Sequence, residues 1–304
     1  MQFARGLTIP PAVRPGDLVC VVAPSSPFEH ALGWRGLGFL RERYRLRFDR
    51  GIFSRRGYLA GDDARRRDEL AAAIADPDVR AIIAARGGYG ASRYCHELAW
   101  DRLAADPKWI VGFSDVTALH VEAARVGVAS LHAPHLTALG RADARGRAAW
   151  IDAVEEPTRP RRFDGLEPIA KGHVEGPLVG GNLTLLHACA ASGRLVLPEG
   201  AILFLEDVGE RPYRIDRMLT TLMAGGHLRA VRGIVLGDFT DCHTGADGVR
   251  IDDVLTERLA SLGIPLAAGL PAGHAHRNEP LVLGAVAELD VAGSARLVMH
   301  RDRV

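Results

Sequence analysis

Cysteine is scarce in this chain and never clustered. Cys20, Cys95, Cys189 and Cys242 lie far apart, and no C-x-x-C occurs. That excludes a disulfide framework and a zinc ribbon, and it points to a reducing compartment, most simply the cytoplasm. Charge of one sign is equally lacking. Lysine and arginine number 38 against 37 acids, a formal net charge of +1. There is no electrostatic footprint for nucleic acid or an anionic membrane. No apolar run approaches the ~20 residues that span a bilayer. The opening MQFARGLTIPPAVRPG lacks the unbroken apolar core of a signal peptide. Internal repeats and low-complexity tracts are absent as well.

Metal-ligand spacing is also missing. His132 and His135 in HAPH are split by a proline, and no H-E-x-x-H occurs. They read as a structural pair at a strand end. The turn GDFTDCHTGADG holds Asp238, Asp241, Cys242, His243 and Asp247 without EF-hand spacing, so its acids read as local caps. No metal and no cofactor are expected.

What is present is ordinary for a soluble globular protein: 47% apolar and 25% charged residues. A length of 304 residues favours two domains. Arg65-Arg66-Arg67, followed by Asp68-Glu69, reads as a solvated helix face. The first half alternates strands with helices. Strands are expected at 17–23, 46–49, 79–85, 108–113 and 129–134, and helices at 28–43, 62–77, 91–106 and 115–127. Such alternation implies βαβ units and a mostly parallel sheet. Residues 1–155 form the expected N-terminal domain. Residues 156–172, rich in proline and charge and without a period, read as a linker. The C-terminal domain, 173–304, carries strands at HVEGPLVG, 201–206 and 233–239. Its helices are expected at NLTLLHACAAS, 213–225 and 251–262. PLVLGAVAELDVAGSARLVMH reads as two strands joined at Gly293.

Within this frame VGFSD raises a question. Ser114 ends the strand KWIVGF and precedes a helix whose Val116, Leu119, Ala123 and Val126 share one face. A strand-to-helix turn of a parallel sheet lies at the carboxyl edge, where α/β proteins place ligands. Ser114 is either a helix N-cap or a nucleophile held out by the turn. The G-x-S-x-G signature is incomplete here. A serine nucleophile needs oxyanion donors, a histidine and a carboxylate to orient it. The glycine loop RGGYGASR (86–93) can present backbone N–H groups, or it is simply a tight turn. It matches neither G-x-G-x-x-G nor Walker A, so a nucleotide loop is not expected. Glu206 ends an apolar strand beside Asp207, as an orienting acid or a cap. His274, in GLPAGHAHRNEP, is a base or an inert loop residue, with His276 two positions on.

Taken together, RGGYG, GFSDVTALH, GPLVGGNLTLL, FLEDVGERPYRIDRML and GLPAGHAHRN resemble, in order and spacing, the LD-carboxypeptidase family. The resemblance runs from VVAPSSP to the last strands. It implies an α/β fold: an N-terminal parallel-sheet domain resembling class I glutamine amidotransferases, and a C-terminal α/β domain of mixed sheet. It implies a cytoplasmic homodimer that acts as a muramoyltetrapeptide carboxypeptidase. Ser114 would be the nucleophile, His274 the base and Glu206 its orienting acid. The N–H groups of Gly88 and Asp115 would form the oxyanion hole. The substrate would be a muropeptide tetrapeptide, losing terminal D-alanine from L-diaminopimelate. Arg86, Tyr89 and Arg93 around the glycine loop are candidates for binding it. His276, a departure in GHAHRN, is kept as a neighbour. The alternatives are a microcin-immunity-type hydrolase of peptidyl or aminoacyl nucleotides, and a non-catalytic module that binds a small ligand.

Overall fold

The structure, a computed structural model, describes residues 6–245 and 248–299. The chain divides into two compact units, Thr8–Pro157 with Glu279–Val282, and Thr158–Asn278 with the segments before Thr8 and after Val282.

In the first unit β1 (Leu18–Val22) leads to α1 (His30–Arg41), β2 (Arg45–Arg47), α2 (Asp63–Ala75) and β3 (Val79–Ala84). Then come α3 (Trp100–Ala105), β4 (Trp109–Gly112), α4 (Thr117–Arg125), β5 (Ser130–His132), α5 (Leu136–Arg141) and α6 (Ala144–Glu155). Register pairs β2 with β1, β1 with β3, β3 with β4 and β4 with β5, all parallel. The central strands β1, β3 and β4 are mostly apolar and buried on both faces, the composition a covered parallel sheet requires, whereas the edge strand β2 is Arg-Leu-Arg and largely exposed. Asp62 starts α2 by accepting the Arg65 N–H at 2.8 Å, as its capping role predicts.

Two expectations fail here. Residues 91–106 are not one helix. They form 3₁₀ turns at Ala91–Arg93 and Cys95–Glu97 before α3 begins. The Trp100 indole N–H takes the Cys95 carbonyl at 2.7 Å, and Tyr94 leaves the helical region at φ −138°, ψ −11°, so the helical ladder cannot run through. Arg66 is not on a solvated face either. It is fully buried, donates to Pro24 O at 2.7 Å, pairs with Asp63 and lies over the Tyr94 ring.

The second unit contains β6 (Arg161–Ala170), β7 (Gly172–Asn182), α7 (Leu183–Ala191), β8 (Ala201–Val208), α8 (Pro212–Ala224), β9 (Val231–Thr240), α9 (Ile251–Ala260) and β10 (Leu266–Ala268). After β11 (Leu281–Leu283) come β12 (Val286–Val291) and β13 (Ala295–Met299). The strands close into a barrel in the order β10-β6-β13-β12-β7-β8-β9. β7, β8, β9 and β10 run parallel, and the remaining pairings are antiparallel, a mixed sheet. Leu178, Ile202, Phe204, Ile234, Leu289 and Leu297 are buried in this unit.

The segment expected to be a linker, 156–172, is mostly β6. Its side chains are largely exposed while β10 and β13 pair along it, so it needs no alternating apolar pattern and tolerates Pro168. The last stretch holds three strands rather than two. Gly284, at φ +101°, breaks β11 from β12, and β11 joins the first sheet beside β5. Asp247 lies outside the described residues.

Candidate active site

In the first unit the backbone turns at Ser114. Phe113 is extended at φ −151°, ψ −176°, and Ser114 sits at φ +66° in the left-handed region. For a non-glycine residue that conformation costs about 1–2 kcal/mol. A 3₁₀ turn, Ser114–Val116, then feeds α4. The positions that cap these elements are Phe113 and Val116, and neither makes a side-chain cap bond. The capping role is therefore not what holds Ser114 in place. Its side chain is partly exposed. The strained turn leaves the Ser114 side chain at the carboxyl end of a buried parallel strand.

The glycine loop lies directly against this turn. A Cβ on Gly87 would stand 2.7 Å from Ser114 Cβ and 3.0 Å from Ser114 Oγ, so only glycine allows the approach. Gly88 has φ +102°, and its missing Cβ would fall 2.7 Å from Ser26 Cβ. Ser26 fixes the loop on both sides: its N–H donates to Gly87 O at 3.2 Å, and its Oγ accepts the Tyr89 N–H at 3.1 Å. Asp115 fixes the far end. Its buried carboxylate accepts the Ala91 N–H at 2.8 Å. Burial pushes this carboxyl above its ordinary range, with Ser25, the Ala91 and Gly90 N–H groups and Arg66 opposing. The backbone N–H groups of Gly88 and Asp115 thus belong to two segments, of which Ser26 fixes the first and the Asp115 carboxylate ties the first to the second.

The other sequence-selected residues of this unit are more committed than expected. Arg93 is held by the Asp63 carboxylate at 2.7–2.9 Å. Arg86 donates to Pro27 O at 2.7 Å. Tyr89 is half-exposed, with its ring centroid 5.9 Å from that of Tyr58. His132 is fully buried, and His135 caps α5 by accepting the Ala138 N–H at 3.2 Å. His120, which sequence reasoning passed over, donates from Nε2 to Gly112 O at 3.0 Å beneath the turn. Burial pulls its pKa down to about 4, so it remains neutral.

In the second unit Glu206 lies on β8 with no exposure, and its Oε2 accepts the His274 Nδ1–H at 2.6 Å. Asp207 does different work. It accepts from Asn182 Nδ2 at 3.0 Å and from the Thr184 N–H and Oγ1 at 2.9 and 2.8 Å, anchoring the turn from β7 into α7. Burial raises the Glu206 carboxyl, and the hydrogen bond and charge of His274 oppose it. Burial pulls the His274 imidazole down, but the hydrogen bond and charge of Glu206, with the charges of Asp207 and Asp238, outweigh it, and the net shift is upward. With Nδ1–H pointed at a carboxylate, the neutral imidazole keeps its basic lone pair on Nε2. Gly273, at φ +140°, lets the loop close: a Cβ there would lie 3.1 Å from both Glu206 Oε2 and Asp238 Cβ. Asn278 Oδ1 accepts the Gly273 N–H at 3.1 Å. His276 is exposed.

Sequence reasoning missed Ser26, His120, Asn278 and Asp238. The first was legible only as part of the turn PSSP, and the last was set aside as a turn cap. Among the described residues, His173, Glu288 and Asp290 lie within metal-ligand reach of one another. The Arg296 guanidinium is 3.2 Å from Asp290 and 3.5 Å from Glu288, so a cation already faces those acids. No described helix is long and apolar enough to cross a membrane.

Comparison with known proteins follows the same division. Residues 19–133 match the LD-carboxypeptidase N-terminal domain, and residues 175–289 match the LD-carboxypeptidase C-terminal domain. The murein tetrapeptide carboxypeptidase of Pseudomonas aeruginosa is 36% identical over 79% of this chain and 82% of its own. The crystal structure of muramoyltetrapeptide carboxypeptidase from Oxalobacter formigenes superposes with a TM-score of 0.83 at 29% identity, covering 93% of this chain and 98% of that one. The microcin C7 self-immunity protein MccF, in complex with aspartyl sulfamoyl adenosine, shares the fold at a TM-score of 0.86. It is 22% identical, over 96% of this chain and 98% of that one.

Proposed function

Because this chain belongs to the LD-carboxypeptidase family, we propose that it is a serine carboxypeptidase releasing terminal D-alanine from muropeptide tetrapeptides. The observation that carries serine chemistry is Ser114 in its left-handed turn, pressed against a loop that only glycine permits. The buried Glu206–His274 pair supports it.

In the proposed reaction His274 Nε2 takes the Ser114 proton as Oγ attacks the carbonyl of the L-centre of diaminopimelate. Glu206 holds the imidazole tautomer and stabilises the imidazolium. The Gly88 and Asp115 N–H groups receive the oxyanion. Collapse breaks the C–N bond, and His274 passes its proton to the departing D-alanine amine. Water, deprotonated by His274, then hydrolyses the ester and restores Ser114. A carboxypeptidase must also hold a terminal carboxylate. Arg86, Tyr89 and Arg93 are the candidates, all with exposed side chains; Arg93 would first have to leave Asp63, and Arg86 the Pro27 carbonyl. The same resemblance extends the proposal to a cytoplasmic homodimer.

Mass spectrometry of four incubations tests the reading. The tetrapeptide ending in D-alanine should be cleaved. The L-alanine analogue and the pentapeptide ending in D-alanyl-D-alanine should be poor substrates, because the site reads the stereocentres around the bond and the free terminus. An aminoacyl-sulfamoyl nucleotide should be cleaved slowly or not at all. Preference for the nucleotide would assign the chain to immunity-type hydrolysis, and turnover of none would leave a binding module.

A further inference from the structure

We infer that Asp238 is a positioning residue for His274, holding the histidine loop from both sides and setting a second carboxylate against the imidazole. This rests on the proposed role of His274 as base. Asp238 lies near the end of β9, and its backbone N–H donates to Ala272 O at 3.0 Å. Its carboxylate faces the Ala275 N–H, which favours the charged form. One residue therefore meets the chain immediately before and immediately after Gly273-His274. The partners are remote in sequence, so this is not the local cap that a turn aspartate usually makes. Nothing separates the acid from the loop: the absent side chain of Gly273 would stand 3.1 Å from Asp238 Cβ.

The second oxygen makes the case electrostatic as well. Asp238 Oδ2 is buried with no hydrogen-bond partner among the described residues. An orphaned carboxylate oxygen is unfavourable unless a positive charge is at hand. His274 supplies that charge only when it is protonated, which is the state it passes through during acyl transfer. Among the described residues, charged groups bearing on His274 include Glu206 and Asp207 from β8 and Asp238 from β9. His276 and Arg277, on its own loop, are exposed. Asp207 also acts on the imidazole through its charge, but its oxygens are bonded to Asn182 and Thr184, whereas Asp238 packs against the histidine loop itself. Burial and the His274 charge act on Asp238 in opposite senses, and burial prevails.

Asp238→Asn keeps an acceptor for the Ala275 N–H and removes the charge. Asp238→Ala removes both. His274 is titrated by NMR in full-length protein with ring-labelled histidine in a Ser114→Ala background, and assigned with His274→Gln. Asp238→Asn should lower the His274 pKa by about one unit. In protein with Ser114 intact, the acid limb of kcat/KM should move down by the same amount, and the plateau should fall about tenfold. Asp238→Ala should give the same titration shift with a larger loss of kcat, and it provides the titration if the Asn variant does not fold. An unmoved His274 titration in both variants overturns the inference, even if activity falls, since packing alone would then explain the loss. The titration needs no substrate. A chain that cleaves no muropeptide yet shows the shift would refute the proposed function and leave the positioning intact.

Discussion

At the scale of single residues, Ser114 separates two effects that usually travel together. Ser114→Ala should fold and lose on the order of 10⁶-fold in kcat, as removal of a triad nucleophile does. Ser114→Gly should be equally inactive, yet more stable in denaturant titration by about 1 kcal/mol, because glycine accepts the left-handed turn at φ +66° without strain. An active, folded Ser114→Ala would return the residue to a structural role. Turnover assays on the partners should rank them. His274→Ala loses more than Glu206→Gln, because the imidazole moves the proton while the acid orients it, and exposed His276→Ala retains most activity. The pH profile follows from the upward shift of His274. A base must be neutral to act, so kcat/KM should fall with acid through a pKa above the ordinary imidazole value of about 6.5. A limb well below that value would mean that burial, not the surrounding acids, governs His274.

At the scale of elements, the glycine loop is the sensitive part. Gly87→Ala should leave the circular dichroism spectrum unchanged and cost about 100-fold in kcat, since its Cβ would displace the loop or Ser114 by a fraction of an ångström. Native activity in Gly87→Ala would show that the loop has slack. How far the elements could be read from sequence depended on where their constraints lie. The parallel strands were legible because both faces are apolar, and α2 because Asp62 caps it. The helix expected over 91–106 was not, because a remote carboxylate, Asp115, and a tryptophan indole claim its backbone groups. β6 was invisible because its side chains face solvent and its partners, β10 and β13, come much later in the chain. Ser114, Glu206 and His274 stood out in the sequence only as a set, through resemblance, and of these the structure pairs Glu206 with His274. Asp238 was not, because its partner Ala275 becomes a neighbour only once β9 and the histidine loop are in place.

At the scale of the whole molecule, no step of the proposed reaction calls for a metal. Dialysis against a strong chelator should therefore leave kcat unchanged, and loss of activity restored by zinc would turn attention to His173, Glu288 and Asp290. Connectivity has a further consequence, for biosynthesis. β11 is the outer neighbour of β5, yet it is translated after β6, β7, β8, β9 and β10. Until the ribosome passes Leu283, the half of the protein that carries Ser114 has a strand missing at the fully buried β5. An unfilled edge on a strand meant to be buried invites pairing with other chains. The nascent chain is thus at its most aggregation-prone while the barrel strands are being made, and stalling there would be more hazardous than stalling after β11.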